Sequence, residues 1–351
     1  MSEEPTRKRR RNFAMLNREV IKPGYCVSCG GCEAVCPVYA ISMEQLVPKL
    51  VSGCINCGAC IDICLRYKQR VEQPEYPQDE IGEILELYTG RTKLADIHER
   101  SQNGGIVTTL LVTAMKKNEI DGAIVTTHVS DLLGPVPTLA LNELEILKAA
   151  KSKYTLNPVL IKLPSIKLSH KNKVAVVGLP CHNETLSNII EMKNLGADFR
   201  HKYTIGLFCM SSYDPAAFRD IISQNLGLTA ANLTKTDCAR GKFFFESPEG
   251  VTEIKIKECS GAKAEGCKYC MDFAAEFADI SVGNIGVGDD SNIIIVRNKE
   301  GKELLELAIK DNLLDVEKIP EEKWPEKLAA AIKLSNSKRK GNKTVPPIET
   351  K

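Results

Sequence analysis

The sequence predicts an α/β protein in two parts, and three observations lead there. Eight of its 14 cysteines crowd into residues 26–64 as near-copies of one spacing, CVSCGGCEAVCP and CINCGACIDICL. From about residue 81 to 315, short Val- and Ile-rich runs alternate with helix-like stretches, the pattern of an α/β domain with a largely parallel sheet. At 351 residues the chain is long enough for roughly two domains and a substantial core. Its 47 basic and 45 acidic residues nearly balance, which excludes an obvious nucleic-acid binder. No apolar run reaches the ~20 residues of a membrane span, and the start, MSEEPTRKRRR, lacks an apolar signal core. The expectation is a soluble cytoplasmic protein, free or held at the membrane face by a partner. Fourteen cysteines would suit a disulfide scaffold in a small secreted chain; here they point to metal or redox use.

The elements follow in order. Residues 1–24 are expected to form a polar, flexible tail. Its run Arg7, Lys8, Arg9, Arg10, Arg11 reads either as solvated chain or as a docking arm for an acidic partner or an anionic membrane surface. Residues 25–72 hold the sulfur repeat, and 73–84, with Pro74 and Pro77, read as a linker. Strands are expected in DGAIVTT (121–127), KVAVVGL (173–179), YTIGLF (203–208), ADISVG (278–283) and NIIIVR (292–297). VTEIKIK (251–257) alternates with period two, as a half-exposed strand does. Amphipathic helices near 301–314 and 321–334 carry the second domain to residue 335, and 336–351 are expected to be a flexible tail.

Each sulfur motif reads Cys-x-x-Cys-x-x-Cys-x-x-x-Cys. Four thiols at this spacing, twice, are the signature of a ferredoxin with two 4Fe–4S clusters, in which the fourth cysteine of each run serves the other cluster. Cluster one then takes Cys26, Cys29, Cys32 and Cys64; cluster two takes Cys54, Cys57, Cys60 and Cys36. Gly30, Gly31, Gly58 and Ala59 leave room for backbone amides to turn toward the inorganic sulfides. Pro37 follows the pattern, whereas Leu65 departs from it. The competing reading is a pair of structural Cys₄ zinc sites, which normally join two CxxC knuckles from separate segments.

Beyond the repeat the residues are less specific. In SQNGGIVTTLLVTAMKKNEIDGAIV (101–125), Gly104 and Gly105 open a helix whose free N–H groups suit an anion, but an ordinary helix start fits as well. Ser101 and Asn103 add hydrogen-bonding capacity there, and Thr108 a first-turn hydroxyl. AKSKYTLNP (150–158) adds a second cluster of polar groups with Lys151, Lys153 and Tyr154, which by itself is bland. Cys181 and Cys209 each follow an expected strand, so a parallel sheet puts both at its carboxyl edge. The pair Cys267 and Cys270 could complete four thiols with them, although buried cysteine is also a common small hydrophobe. Cys238 and Cys259 read as inert thiols, and His182 as a polar neighbour of Cys181.

GGIVTTLLVTAMKKNEIDGAIV, SKYTLNP, VAVVGLPC, IGLFC and CKYCMDFAAEFADISVGNIG, in that order over about residues 85–310, together resemble the family of coenzyme F420 hydrogenase/dehydrogenase beta subunits. The resemblance implies a ferredoxin-like module fused to a mixed α/β flavin-binding core. It implies FAD contacts at Ser101, Gln102, Asn103, Gly104, Gly105, Thr108, Ser152, Lys153 and Tyr154. It also implies a third 4Fe–4S cluster at Cys181, Cys209, Cys267 and Cys270, with zinc as the alternative. After Gly286 the stretch VGDDSNIIIV departs from the family's usual pattern. The implied activity is an F420H2 dehydrogenase: hydride passes from reduced coenzyme F420 to FAD, then electrons go singly through the clusters to a membrane-bound respiratory complex. The same residues serve the reverse reaction, in which reduced ferredoxin supplies electrons to make reduced F420. A noncatalytic electron-wiring subunit of a hydrogenase or reductase is the third reading, and a structural zinc protein the fourth.

Overall fold

The computed structural model describes residues 11–128, 131–192 and 201–348; of the basic run, Arg7 to Arg10 lie outside the described residues. The repeated sulfur motif folds as a repeated turn. Ser28 and Gly30 in the first copy, and Asn56 and Gly58 in the second, take positive φ angles of 55°, 84°, 59° and 82°. Glycine reaches that left-handed region without a Cβ penalty. Each turn opens a four-residue helix, Gly31–Ala34 and Ala59–Asp62. An antiparallel hairpin, β1 (Ile41–Glu44) and β2 (Val47–Leu50), lies between the copies, and the helix Leu65–Glu72 follows them.

Both expected tails are shorter than the sequence reading drew them. Phe13–Leu16 and Asn17–Ile21 are helical, and the Asn12 side chain caps the first by accepting from the Met15 amide. Phe13, Met15, Leu16 and Val20 are buried beside Cys32, Ile41, Cys60 and Ile61. A module this small lacks apolar surface for a core of its own, so it recruits these flanking turns. At the other end, the helix Trp324–Gly341 runs on past residue 336, with Lys338 and Arg339 buried. Val345 beyond it is buried too, and Arg70 donates to the carbonyls of Pro346 (2.8 Å) and Pro347 (3.1 Å). Charged letters suggested solvent there; Lys338 and Arg339 instead find carbonyl or carboxylate partners.

The second domain is built on eight strands. In chain order they include β3 (Glu86–Thr92), β4 (Gly122–His128), β5 (Pro135–Ala140), β6 (Val174–Gly178) and β7 (His201–Leu207). A separate antiparallel sheet, β8 (Lys235–Ala239), β9 (Lys242–Ser247) and β10 (Gly250–Lys255), interrupts the series. The main sheet resumes with β11 (Ile280–Gly283), β12 (Asn292–Val296) and β13 (Leu314–Ile319). Its order is β13-β3-β12-β11-β7-β6-β4-β5. Only the centre is parallel, through β11, β7, β6 and β4; the pairs outside it are antiparallel. Pro135 and Pro137 sit in edge strand β5, where a missing N–H is tolerated.

Central strands are covered on both faces, which explains their unbroken Val and Ile runs. On one face Ile106, Leu110 and Leu111 of the helix Ile106–Lys116, with Leu304 and Leu305 of Lys299–Lys310, pack on Ala123, Ile205, Ile280 and Ile294. On the other, Ile124, Val174 and Val176 meet Leu160, Leu163 and Leu186, together with Ala34, Val35, Ala59 and Ile63 from the sulfur module. Each such aliphatic side chain contributes about 1.5–3 kcal/mol when fully buried. The module is therefore packed into the same apolar layer as the sheet.

Candidate functional site

The twelve cysteines singled out from sequence fall into three groups of four. Cys32 lies within the electrostatic reach of Cys26, Cys29 and Cys64, and Cys64 within that of Cys29 and Cys26. Cys60 is grouped with Cys54, Cys57 and Cys36, and these four line one cavity. The crossed arrangement follows from the chain path: the short helices after each turn carry Cys36 and Cys64 over to the opposite group. Cys32 also feels Cys60, so the two groups adjoin. The second opens outward, where Cys57 is exposed beside exposed Val38, Leu50 and Ile55.

Backbone amides point at these sulfurs. The Ser28 amide donates to Cys26 Sγ and the Asn56 amide to Cys54 Sγ, both at 3.4 Å, one bond repeated in the two turns. The Ala40 amide donates to Cys36 Sγ at 3.2 Å, and Thr185 Oγ1 reaches Cys29 Sγ at 3.6 Å from the second domain. Burial, then the neighbouring thiols, push Cys60 up to about 12, and burial likewise takes Cys64 to about 12. Such thiols hold their protons until a metal displaces them.

The third group sits where β6 and β7 end. These strands are parallel neighbours; Cys181 opens the helix Pro180–Glu191 after β6, and Cys209 follows β7. Cys267 and Cys270 come from the turn Glu265–Tyr269 and the residue after it, and all four thiols line one cavity. The Ser212 amide donates to Cys267 Sγ at 3.3 Å, and burial first, then its neighbours, pushes Cys209 up to about 12. Among the described residues no three His, Cys, Asp or Glu side chains close on a point that a single metal ion could take. His182 also lines the cavity, but its Nδ1 accepts from the Leu179 amide at 3.1 Å, and burial lowers its pKa to about 4, so it stays neutral.

Groups one and three touch. Val27, between Cys26 and Cys29, lines the third cavity, and Cys181 feels Cys29. A Cβ on Gly266 would overlap the Cys26 carbonyl, so only glycine lets the two loops meet backbone to backbone. Arg66 ties them: its buried guanidinium donates to Tyr269 O at 2.8 Å and Gly266 O at 3.0 Å. Lys338 also lines the third cavity, donating to Cys209 O and Asp272 O. Neither cation was singled out from sequence, and no local pattern marks them, because their partners come from distant segments.

Eight of the nine residues expected to contact FAD lie on two loops that the fold brings together, and Thr108 lies in the helix that follows one of them. The Ser152 amide donates to Gln102 Oε1 at 3.2 Å, while Gln102 Nε2 is buried without a partner. Gly105 (φ 72°) caps the helix Ile106–Lys116, which contains buried Thr108, and Gly104 and Gly105 are buried. The Ser101 hydroxyl lies in reach of the His98 and Asn103 carbonyls, and Asn103 donates to Asp289 O at 2.7 Å. β3 runs in the same sense as β11, so this loop shares the carboxyl edge with Cys181 and Cys209. An unpaired amide beside a helix N-terminus with no side-chain cap is a fitting place for a diphosphate-bearing cofactor.

Two of the nine face elsewhere in this structure. The Lys153 ammonium donates to the carbonyls of Ala149, Ala150 and Lys151, just past the helix Glu143–Lys148. Burial, then Lys151, lowers its pKa to about 7, while the three carbonyls favour its charge. The Tyr154 ring packs edge-on against Phe243, with its hydroxyl 3.4 Å from Asp237 Oδ1. Cys259 is buried in that same apolar cluster and Cys238 packs against it.

Comparison with known proteins covers most of the chain. Residues 18–65 match a 4Fe-4S dicluster domain. Residues 87–163 and 171–322 match the N-terminal and C-terminal parts of the coenzyme F420 hydrogenase/dehydrogenase beta subunit. Coenzyme F420 hydrogenase subunit beta of Methanothermobacter thermautotrophicus is 30% identical over 247 residues, 69% of this chain and 88% of the relative. The F subunit of the F(420)H(2) dehydrogenase of Methanosarcina mazei is 28% identical over 335 residues, 92% of each. A chain of the F420-reducing NiFe hydrogenase complex from Methanosarcina barkeri superposes with a TM-score of 0.69 at 27% identity, covering 76% of this chain and 93% of that one. Among the described residues no helix is long and apolar enough to cross a membrane.

Proposed function

Since the chain belongs to the family of coenzyme F420 hydrogenase/dehydrogenase beta subunits and carries a dicluster iron–sulfur domain, we propose that it oxidises reduced coenzyme F420. Three 4Fe–4S clusters held by its cysteines would supply single-electron transfer toward a respiratory complex at the membrane. A bound FAD would supply the exchange of a hydride pair for single electrons, which a cluster cannot make alone.

The chain's own residues bind and orient. Gln102 offers a free amide donor, and the N-terminus of the helix Ile106–Lys116 favours an anionic diphosphate. Lys153 and Tyr154 act at one remove: one holds the end of a neighbouring helix, and the other anchors its loop in an aromatic cluster. Cys26, Cys29, Cys32 and Cys64 hold one cluster, Cys36, Cys54, Cys57 and Cys60 the second, and Cys181, Cys209, Cys267 and Cys270 the third. The amides of Ser28, Ala40, Asn56 and Ser212 steady thiolates that burial alone would disfavour.

One observation supports the reading above the others. The third thiol group shares a sheet edge with the loop 101–105 and abuts the first group at Gly266, while the second opens at Cys57. That is a continuous file from a cofactor edge to the surface. The test is anaerobically prepared protein assayed for iron, acid-labile sulfide, zinc and flavin, then for oxidation of reduced F420 with an artificial acceptor. Iron, flavin and F420-dependent turnover are expected. Turnover with NADH and none with reduced F420 would remove the substrate assignment.

A further inference from the structure

We propose that Lys338 selectively raises the reduction potential of the cluster held by Cys181, Cys209, Cys267 and Cys270, a role that rests on the third-cluster reading above. The residue belongs to the helix Trp324–Gly341, beyond the segment 171–322 that matches the family. Its side chain is 3% exposed and enters the cavity that the four thiols line. There the ammonium donates to Cys209 O at 2.7 Å and Asp272 O at 2.6 Å. The first carbonyl belongs to one proposed ligand, and the second lies two residues beyond another.

Among the residues lining this cavity, Lys338 is the one cationic side chain. A cluster takes up one electron with no bond made or broken, and its negative charge deepens by one. A fixed cation in a low-dielectric wall stabilises that form more than the oxidised one. Lys338 reaches Cys209, Cys267 and Cys270 of the third group, whereas Arg66 bridges the two groups and is felt at Cys26, Cys29 and Cys267 alike.

The same two hydrogen bonds would suit a plain structural peg, so the test separates charge from shape. Lys338→Gln keeps an amide donor and loses the charge; Lys338→Arg keeps the charge. Both full-length proteins, prepared anaerobically, are titrated against mediators of known potential, with each cluster followed by electron paramagnetic resonance and total iron counted. In Lys338→Gln the reduced-to-oxidised ratio of the third cluster at fixed potential should fall at least tenfold, a midpoint lowered by about 59 mV for one electron. The other two midpoints should stay in place, and Lys338→Arg should stay within about threefold of the parent. Loss of third-cluster iron in the Gln protein but not the Arg protein also supports the charge. An unmoved midpoint with full iron overturns the proposal. So do equal shifts in both variants, a common shift of all three clusters, or iron loss in both variants. Parent protein showing only two cluster signals removes the third-cluster reading itself, and this role with it.

Discussion

Replacing Arg66 by alanine should loosen the sulfur module from the sheet domain. The guanidinium is 1% exposed and donates to Gln69 Oε1 at 2.6 Å, Tyr269 O at 2.8 Å and Gly266 O at 3.0 Å. Two of these acceptors lie in the turn that carries Cys267, so one side chain joins the helix after Cys64 to the third thiol group. Truncation leaves both carbonyls buried without a donor, at about 1–3 kcal/mol each. It also strips Glu184 of a nearby positive charge. Relief of the arginine's own desolvation offsets part of this, and the net loss should be roughly 3–5 kcal/mol. Anaerobic urea unfolding followed by cluster absorbance reads the effect. With a slope of about 3 kcal/mol per molar, the midpoint should fall by about 1–1.7 M. Arg66→Lys keeps the charge without the planar fork and should fall between parent and alanine. A shift below about 0.3 M for the alanine variant would refute the reasoning. The junction would then rest on the apolar contacts of Ala34, Val35 and Ile63 with Leu160 and Leu163.

Changing Cys29 to Ser should leave flavin reduction by reduced F420 intact and slow onward transfer to an acceptor by roughly tenfold or more in stopped-flow absorbance; loss of flavin reduction instead would reverse the proposed carrier order. Cys209→Ser should lower iron by about four atoms per chain and spare the dicluster spectrum, and an unchanged count would exclude a cluster at that position. Gly266→Ala drives a methyl group into the Cys26 carbonyl and should cost about 1–3 kcal/mol in thermal unfolding. Gly53→Ala, with nothing within 4 Å, should stay within about 0.5 kcal/mol, and equal effects at the two sites would contradict the contact. Removing iron with a chelator should abolish amide protection in residues 12–72 while β6, β7 and β12 keep theirs, as hydrogen exchange would show; uniform loss would mean the sheet too depends on metal.

The parts readable from sequence are those governed by local rules. The Cys-x-x-Cys-x-x-Cys turns constrain themselves, and the left-handed angles at Gly30 and Gly58 are written in the residues. β4, β6, β7, β11 and β12 announce themselves as Val and Ile runs because both faces are covered. Edge strands β5 and β13 do not, since one is broken by prolines and the other carries charges on its open side. Lys338 and Arg66 escaped for a different reason. A buried cation looks like a solvated one until its acceptors, here carbonyls 66 to 203 residues away, are in place. Lys153 shows the converse: a motif lysine whose ammonium is already committed to three local carbonyls.

The stretch from Trp324 to Ile348 closes three seams at once. Lys338 plugs the third cavity, Arg339 grips the carbonyls of Pro77 and Glu80, and the Pro346 and Pro347 carbonyls accept from Arg70. All three seams involve segments that leave the ribosome much earlier. The thiols of the third cavity therefore leave the ribosome before Lys338, the buried cation that lines the same cavity, so that wall is the last part of the pocket to be made.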